Sequence, residues 1–554
     1  MPLPRLLLLL VAGTLFGLPL THAASIPPDA GQSMRDIEQR PPQLPPRQQL
    51  ELELPASPAA APADDGRQVP VSGFSIEGNS TIASGELLAL LADLRQRSLT
   101  LTELQEGAGR ITRHYRERGY PLARAYLPAQ DIGDDGMVRI AVLEGHYGEV
   151  RVERHGRISN AAVAPLAALR PGDAVRAAPL EHSLLLLQET PGVEVESTLR
   201  PGATVGTTDL LVEVRPGPLL SGAIDADNFG NRYTGAYRLG ATVNLDSPLG
   251  LGDRLTLRAM GSDEDQRYYR AAYQLPVGPL GTRLGLSYSD MDYQLARDFD
   301  MLDARGNARI FAVQLAQPLV RARDFSLSAG LEYADKRLRD EIGLFASRND
   351  KRSQVLTASL SGTSRDDWLG GGVNSFALEL AHGRLQLDDE ALRLLDSLTA
   401  RSRGGFTKLN PSLLRLQRLD ERFSFYAQLQ GQWADGNLDS SEKFSLGGAY
   451  GVRAYPQGEA SGDEGWLARL ELRYALSPAW QLAAFADHGA VRINKKPWSE
   501  GDNHRQLSGA GISASWSDRD WQLNAMAAWK LGGERPESDS DRSPRVWLQV
   551  VRRF

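Results

Sequence analysis

From Leu219 to Phe554 the chain repeats one texture: segments of about ten residues in which apolar and polar positions alternate, separated by clusters of Gly, Asp, Asn and Ser. TGAYRLGATVNLD, DRLTLRAM, TRLGLSYSDMDYQL, FSLSAGLEYAD, NSFALELAHG, FSFYAQLQGQW, WLARLELRY, WQLAAFADHG, WQLNAMAAWK and RVWLQVVRRF are the clearest. With less regular segments at 219–229, 266–274, 309–320, 353–363, 405–418 and 505–516 the count reaches sixteen. An alternating strand has one face for each of two environments. A sandwich array would divide into domains with linkers, and no linker interrupts residues 219–554. Aromatic residues near strand ends, among them Tyr288, Trp433, Trp466, Tyr474 and Trp529, fit the interfacial girdles of a membrane barrel. An even strand number returns both ends of a closed meander to the same side.

Before the barrel the period changes. Residues 71–146 predict the order β-α-α-β-β, with helices near Ser84–Gln96 and Thr102–Arg118 and strands at Ala123–Pro128 and Met137–Glu144. Leu104, Ala108, Ile111 and Tyr115 share one helical face, and Gly119 with Pro121 stops that helix. Residues 147–216 repeat the order more weakly, with helices at Asn160–Ala168 and Leu180–Glu189 and final strands VEVESTLRPG and DLLVEVRPG. Two tandem α+β modules are the economical reading. Upstream, eight prolines between 41 and 70 predict an extended linker without helix or sheet. Asp29–Arg40 predicts a short helix so polar that only Met34 and Ile37 offer large apolar groups, with no hydrophobic partner in view.

Residues 1–23 read as a secretory signal: Arg5, the apolar run Leu6–Val11 and a small-residue cleavage site ending at Ala23. After it, no stretch reaches the roughly 20 consecutive apolar residues of a membrane-spanning helix. With no Cys, neither a disulfide framework nor a lipid-anchoring Cys is available. The net charge of −7, with both signs interspersed, leaves no footprint for nucleic acid. The eight His residues form no close pair at metal-ligand spacing, and neither a GxSxG elbow nor a GxxxxGK[ST] loop occurs. No metal, cofactor or enzymatic activity is expected.

This order of segments, together with local phrases, resembles the TpsB family of two-partner secretion transporters, in the superfamily of the BamA-like barrel-assembly proteins. LEHSLLLLQETPGVEVESTLRPG followed by TDLLVEV is similar to the family's second POTRA domain, and IDADNFGNRYTGAYRLGATVNLDSPLGLGDRLTL to its first barrel strands. GGAYGVRAY, between the eleventh and twelfth strands, resembles the VRG[YF] motif of a loop that re-enters the barrel around 440–464. Its residues here are Gly451, Val452, Arg453, Ala454 and Tyr455, with Ala454 where Gly is usual. FADHG, containing Phe485, Asp487 and Gly489, resembles the acidic motif of the thirteenth strand, which implies that Asp487 is the lumenal partner of Arg453. Parity agrees, placing Leu482, Ala484 and Ala486 on the lipid side and Ala483, Phe485 and Asp487 inside. Taken alone, Arg453 reads equally as a solvated loop residue and Asp487 as an ordinary lumen charge; in a wet lumen the pair would contribute only ~0–1 kcal/mol. The terminal Phe554 resembles the targeting signal read by the barrel-assembly machinery.

The resemblance implies a sixteen-stranded antiparallel transmembrane barrel behind two α+β POTRA domains: 71–146 and 147–216 in the periplasm, 217–554 in the outer membrane of a Gram-negative bacterium. The implied function is export of a large unfolded partner exoprotein, an adhesin or haemolysin, caught by the POTRA domains; the helix in 24–40 would plug the lumen. The partners are then the exoprotein, outer-membrane lipid and the assembly machinery. A barrel-assembly factor or a passive porin is the alternative, but the first usually has more POTRA domains and no helix with linker, and the second leaves two periplasmic modules unexplained.

Overall fold

The computed structural model describes residues 27–39, 52–53 and 67–554. The signal segment 1–23 and most of the Pro-rich stretch lie outside them.

In the first α+β module, Met137–Leu143 is the central strand, parallel to Gly73–Glu77 and antiparallel to Arg124–Tyr126. Helix Leu101–Glu117 covers this sheet because Leu104, Ala108, Ile111 and Tyr115 recur on one face, and all four are buried. Thr100 and Glu103 form a reciprocal capping box at its start, and Gly119 follows its last turn at φ +85°. Glu144 closes the module. Burial alone would raise its carboxyl, but hydrogen bonds from Ser80, Thr81 and Tyr115 outweigh that and hold its pKa down to about 2. The second module packs helix Ala177–Gln188 on a sheet ordered Leu52–Glu53, Val193–Pro201, Thr207–Pro216, His146–Arg154, around its own core.

Three expectations are corrected here. The Pro-rich stretch is not free of sheet: Leu52–Glu53 runs parallel beside Ser197–Thr198, and Gln68–Val71 pairs with Arg97–Thr100. Both segments are sheet edges, where Pro is tolerated. The predicted helix to Gln96 ends at Ala89 and passes through a 3-10 turn, Ala92–Leu94, into the strand Arg97–Thr100. The predicted helix Asn160–Ala168 is only the 3-10 turn Ala164–Ala168.

The barrel closes with sixteen antiparallel strands, from Leu220–Asp227 to Arg545–Arg553, the first paired with the last. The first strand leaves the second POTRA-like module, so odd-to-even connections lie on the far side of the membrane and even-to-odd turns face the modules. Leu286, Leu315, Leu331, Leu356 and Leu380 are exposed on the outer wall, with Tyr288, Trp433, Trp466 and Trp529 among its exposed aromatics. At the C-terminus Val546, Leu548, Val550 and Phe554 share the outward face, and the Arg552 guanidinium lies over the Trp521 ring at 5.3 Å. The sixth to ninth strands, Ala304–Arg321, Phe325–Ile342, Ser347–Asp366 and Gly372–Leu387, run for 18, 18, 20 and 16 residues. A bilayer needs only about 9–11 of them, so these strands continue as a wall well beyond it.

Candidate functional site

Between the eleventh strand, Phe423–Ala434, and the twelfth, Glu464–Ala475, the connection turns back into the barrel. A two-rung neck, Phe444–Ser445 against Ser461–Gly462, gives it a stem. Beyond the stem the chain folds on itself: Val452 N–H donates to Leu446 O at 2.7 Å, and Tyr455 N–H to Val452 O at 3.0 Å. Gly451 is required because a Cβ there would stand 1.9 Å from Leu446 O. Val452 and Tyr455 are fully buried, Val452 in a cluster with Leu446, Leu467 and Phe485. Gly489 makes room for that cluster, since a Cβ at this position would meet Trp466 O at 2.6 Å and Leu446 Cδ2 at 2.7 Å. Ala454 is accommodated by the fourteenth strand, His504–Ser517: the space beside Gly509 holds the Ala454 methyl, 2.6 Å from where a Gly509 Cβ would sit.

Arg453 is 2% exposed. Its Nε and Nη2 donate to the two oxygens of Asp487 at 2.8 and 2.7 Å, its backbone N–H adds a third bond at 3.1 Å, and its Nη1 donates to Glu471 at 2.7 Å. The guanidinium lies 3.5 Å from the Phe485 ring centroid, and Trp547 Nε1 donates to Arg453 O at 2.7 Å. Asp487 is also 2% exposed. The expectation of a hydrated pair is therefore corrected: this is a buried cluster, completed by Arg469 at 3.6 and 3.7 Å and by Arg473 at 2.7 Å from Glu471. Neither residue is a solvated lumen charge. Glu471 was missed, although it stands between Arg469 and Arg473 on the inward parity of WLARLELRY.

Two further anchors hold the same loop. Glu459, 1% exposed, accepts from Arg505 and from Glu537 N, Ser538 N and Ser538 Oγ of the connection 531–544. Glu442, 2% exposed, receives Lys336 at 2.7 Å and Lys408 at 2.8 Å from the barrel wall.

The N-terminal helix spans Ala30–Glu38, capped by Asp29, and lies against inward-facing wall residues and the loop. Its expected lack of an apolar partner is corrected, because Ala30 and Met34 are buried with Tyr268, Met291 and Tyr293. Its polar contacts are specific. Arg35 donates to Ser440 O at 2.6 Å, to Lys443 O at 2.8 Å and to Ser461 Oγ at 3.1 Å. Asp29 meets Ser440 Oγ at 2.5 Å and Lys351 at 3.3 Å, Asp340 accepts from Ala30 N at 2.8 Å, and Glu38 pairs with Arg270 at 3.3 Å. Helix and loop are bonded to each other and, separately, to the wall.

Residues 206–516 match the family model described as haemolysin secretion/activation protein ShlB/FhaC/HecB, and residues 69–145 match the POTRA domain, ShlB-type. The chain is 29% identical over 546 residues to the heme/hemopexin transporter protein HuxB of Haemophilus influenzae, covering 95% of each. It is 26% identical over 530 residues to the hemolysin transporter protein ShlB of Serratia marcescens, covering 92% of this chain and 89% of that one. Among solved structures, CdiB from Escherichia coli superposes with a TM-score of 0.70 at 21% identity, covering 95% of this chain and 96% of that one. CdiB from Acinetobacter baumannii gives 0.64 at 18%, covering 96% and 100%.

Proposed function

The chain belongs to the haemolysin secretion/activation protein ShlB/FhaC/HecB family, and from that footing we propose that it carries a large unfolded partner protein from the periplasm through the outer membrane. It is an outer-membrane transporter of two-partner secretion, with its POTRA domains on the periplasmic side. The observation that carries the reading is a closed barrel whose interior is filled by two segments of its own chain, a short polar helix and a re-entrant loop, each held by side-chain contacts that can be broken without opening a strand pair.

In this reading the POTRA modules catch the extended exoprotein, since a free sheet edge beside a helix receives a strand through backbone hydrogen bonds that tolerate sequence variation. Arrival of the cargo displaces the Ala30–Glu38 helix. The loop then shifts while Arg453, held by Asp487 and Glu471, keeps it registered on the twelfth and thirteenth strands. No nucleotide-binding loop is present in the sequence, so folding of the cargo outside the cell supplies the direction. Phe554, last on the outward face of the final strand, is the group we assign to recognition by the assembly machinery.

Supernatants of cells with and without this chain, compared by proteomics, test the reading: one large exoprotein should disappear on deletion. Loss of many unrelated barrels instead would assign the chain to barrel assembly. The POTRA assignment has its own test, in which residues 67–216 bind the unfolded N-terminal fragment of that exoprotein. No binding at high micromolar concentration would move recognition to the barrel.

A further inference from the structure

The outer wall above the apolar band carries a row of arginines that face away from the lumen. On the sixth, seventh and eighth strands, Arg309, Arg337 and Arg352 occupy one rung: Arg309 is paired in register with Arg337, and Arg337 with Arg352. By strand parity all three point away from the lumen, sharing the outward face of Leu315, Leu331 and Leu356. Like charges directly opposite on a sheet repel, so three adjacent guanidiniums are unfavourable unless an anion joins them.

Internal carboxylates do not balance the row. Asp335 gives both oxygens to Arg352, at 2.7 and 3.0 Å, which leaves Arg337 with a contact of 3.8 Å to the same carboxylate while it is 69% exposed. Arg309 has Asp290 at 3.3 Å. Higher on the same strands stand Arg305, paired with Glu341 at 3.0 Å, and Arg339 and Arg348, which share the single carboxylate of Asp350. A groove of about 490 Å³ beside these arginines reaches the fourth strand, Arg267–Val277, and is of mixed charge, with Asp265, Asp292 and Glu341 in its lining as well as four arginines. Toward the membrane, four residues along each strand from the arginine row, stand Val313, Tyr333 and Leu356. That separation is about 13 Å along strands that tilt about 35–45°, so the arginines stand about 10 Å above the apolar rung along the membrane normal, at the level of the polar head groups.

We propose that this face binds a phosphorylated glycolipid of the outer leaflet, with its phosphates on Arg309, Arg337 and Arg352 and its acyl chains against the apolar rung below. Guanidinium forks suit phosphate because each can donate two parallel hydrogen bonds. The site rests on the orientation that puts these strand ends outside the cell, and not on the identity of the cargo.

The full chain in detergent, titrated with bisphosphorylated lipid A and followed by native mass spectrometry, is expected to retain the lipid. Arg309→Gln/Arg337→Gln/Arg352→Gln should weaken binding at least tenfold, and the corresponding Lys triple variant should fall between the two. Heat-modifiable migration on gels checks that each variant is folded; if the Gln triple is not, Arg337→Gln alone should weaken binding about threefold. Dephosphorylated lipid A binding as tightly, unchanged binding by the folded variants, or displacement of the lipid by equimolar inorganic pyrophosphate would each overturn the proposal.

Discussion

Replacing Arg453 by Ala leaves two carboxylates behind, and their burial sets the size of the effect. Asp487 and Glu471 are 2% and 6% exposed, and Arg453 supplies three hydrogen bonds to the first and one to the second. One of the three comes from the backbone and survives the substitution. Breaking a buried pair by removing one member costs about 3–5 kcal/mol, much of it from the stranded charge. Arg469 stands 3.7 Å from Asp487 and 3.6 Å from Glu471 and can recover part of this, so we take the lower figure, ~3 kcal/mol. The barrel does not bear this loss, because its sixteen strands are paired independently of the loop. The loop does. At about 1.4 kcal/mol per tenfold, local opening of 446–458 should become on the order of 100-fold more frequent. Hydrogen exchange on Arg453→Ala should show that acceleration in the loop while the strands stay protected, and secretion should fall although insertion is near normal. Asp487→Ala should do the same, with the double variant little worse than either single one. Arg453→Lys should rescue poorly, since one ammonium cannot reproduce a fork that reaches both carboxylates. Unchanged exchange in 446–458 for Arg453→Ala would refute the energetic reasoning, and additive defects would show that the two residues act separately.

Three further outcomes follow from the geometry. Deleting residues 29–38 should raise single-channel conductance in planar bilayers, and unchanged conductance would place the helix outside the conducting path. Gly489→Ala must displace Leu446 or the Trp466 carbonyl, a strain of about 1–3 kcal/mol that should appear as faster exchange around Leu446 and reduced secretion; native behaviour would show that the contact yields freely. The Glu144 carboxyl has a folded pKa of about 2, below its ordinary 4.5, so its contribution, on the order of 3 kcal/mol, is fully present above about pH 4.5 and is lost as pH falls toward 2. Urea unfolding of residues 67–216, read by circular dichroism, should show this acid limb, and Glu144→Gln should remove most of it.

The barrel was legible because each strand separates lipid from lumen, and alternation records that at every second residue. It faded toward the far ends of the long strands, which exceed the length a bilayer needs: at 304–308 and 336–342 Arg305, Arg337 and Arg339 take the outward places that Leu holds lower down, and alternation of apolar and polar residues no longer marks the strand. Arg453 and Asp487 were found through motif resemblance, and their inward parity was readable. Their burial was not, since it depends on Phe485, Trp547 and Arg469 converging from three strands. Glu459 was invisible for the same reason: Arg505 reaches it from the fourteenth strand, 46 residues away, and its other donors lie 78 and 79 residues away in a connection with no periodic pattern. The strand Leu52–Glu53 hid behind prolines, which describe what a segment cannot donate rather than what sits beside it.

The helix Ala30–Glu38 is in effect a ligand of the loop that its own chain delivers. A group joined covalently to its site meets it at an effective concentration on the order of millimolar, so even contacts worth only a millimolar affinity keep it seated about half the time. The Arg35 bonds to Ser440 and Lys443 carbonyls need not be strong to hold it. A cargo arriving from solution lacks that advantage and must compete through many weak contacts along its length. It follows that the same helix, supplied as a free peptide to a barrel from which it has been deleted, would have to reach millimolar concentration to match the occupancy that the covalent link gives it.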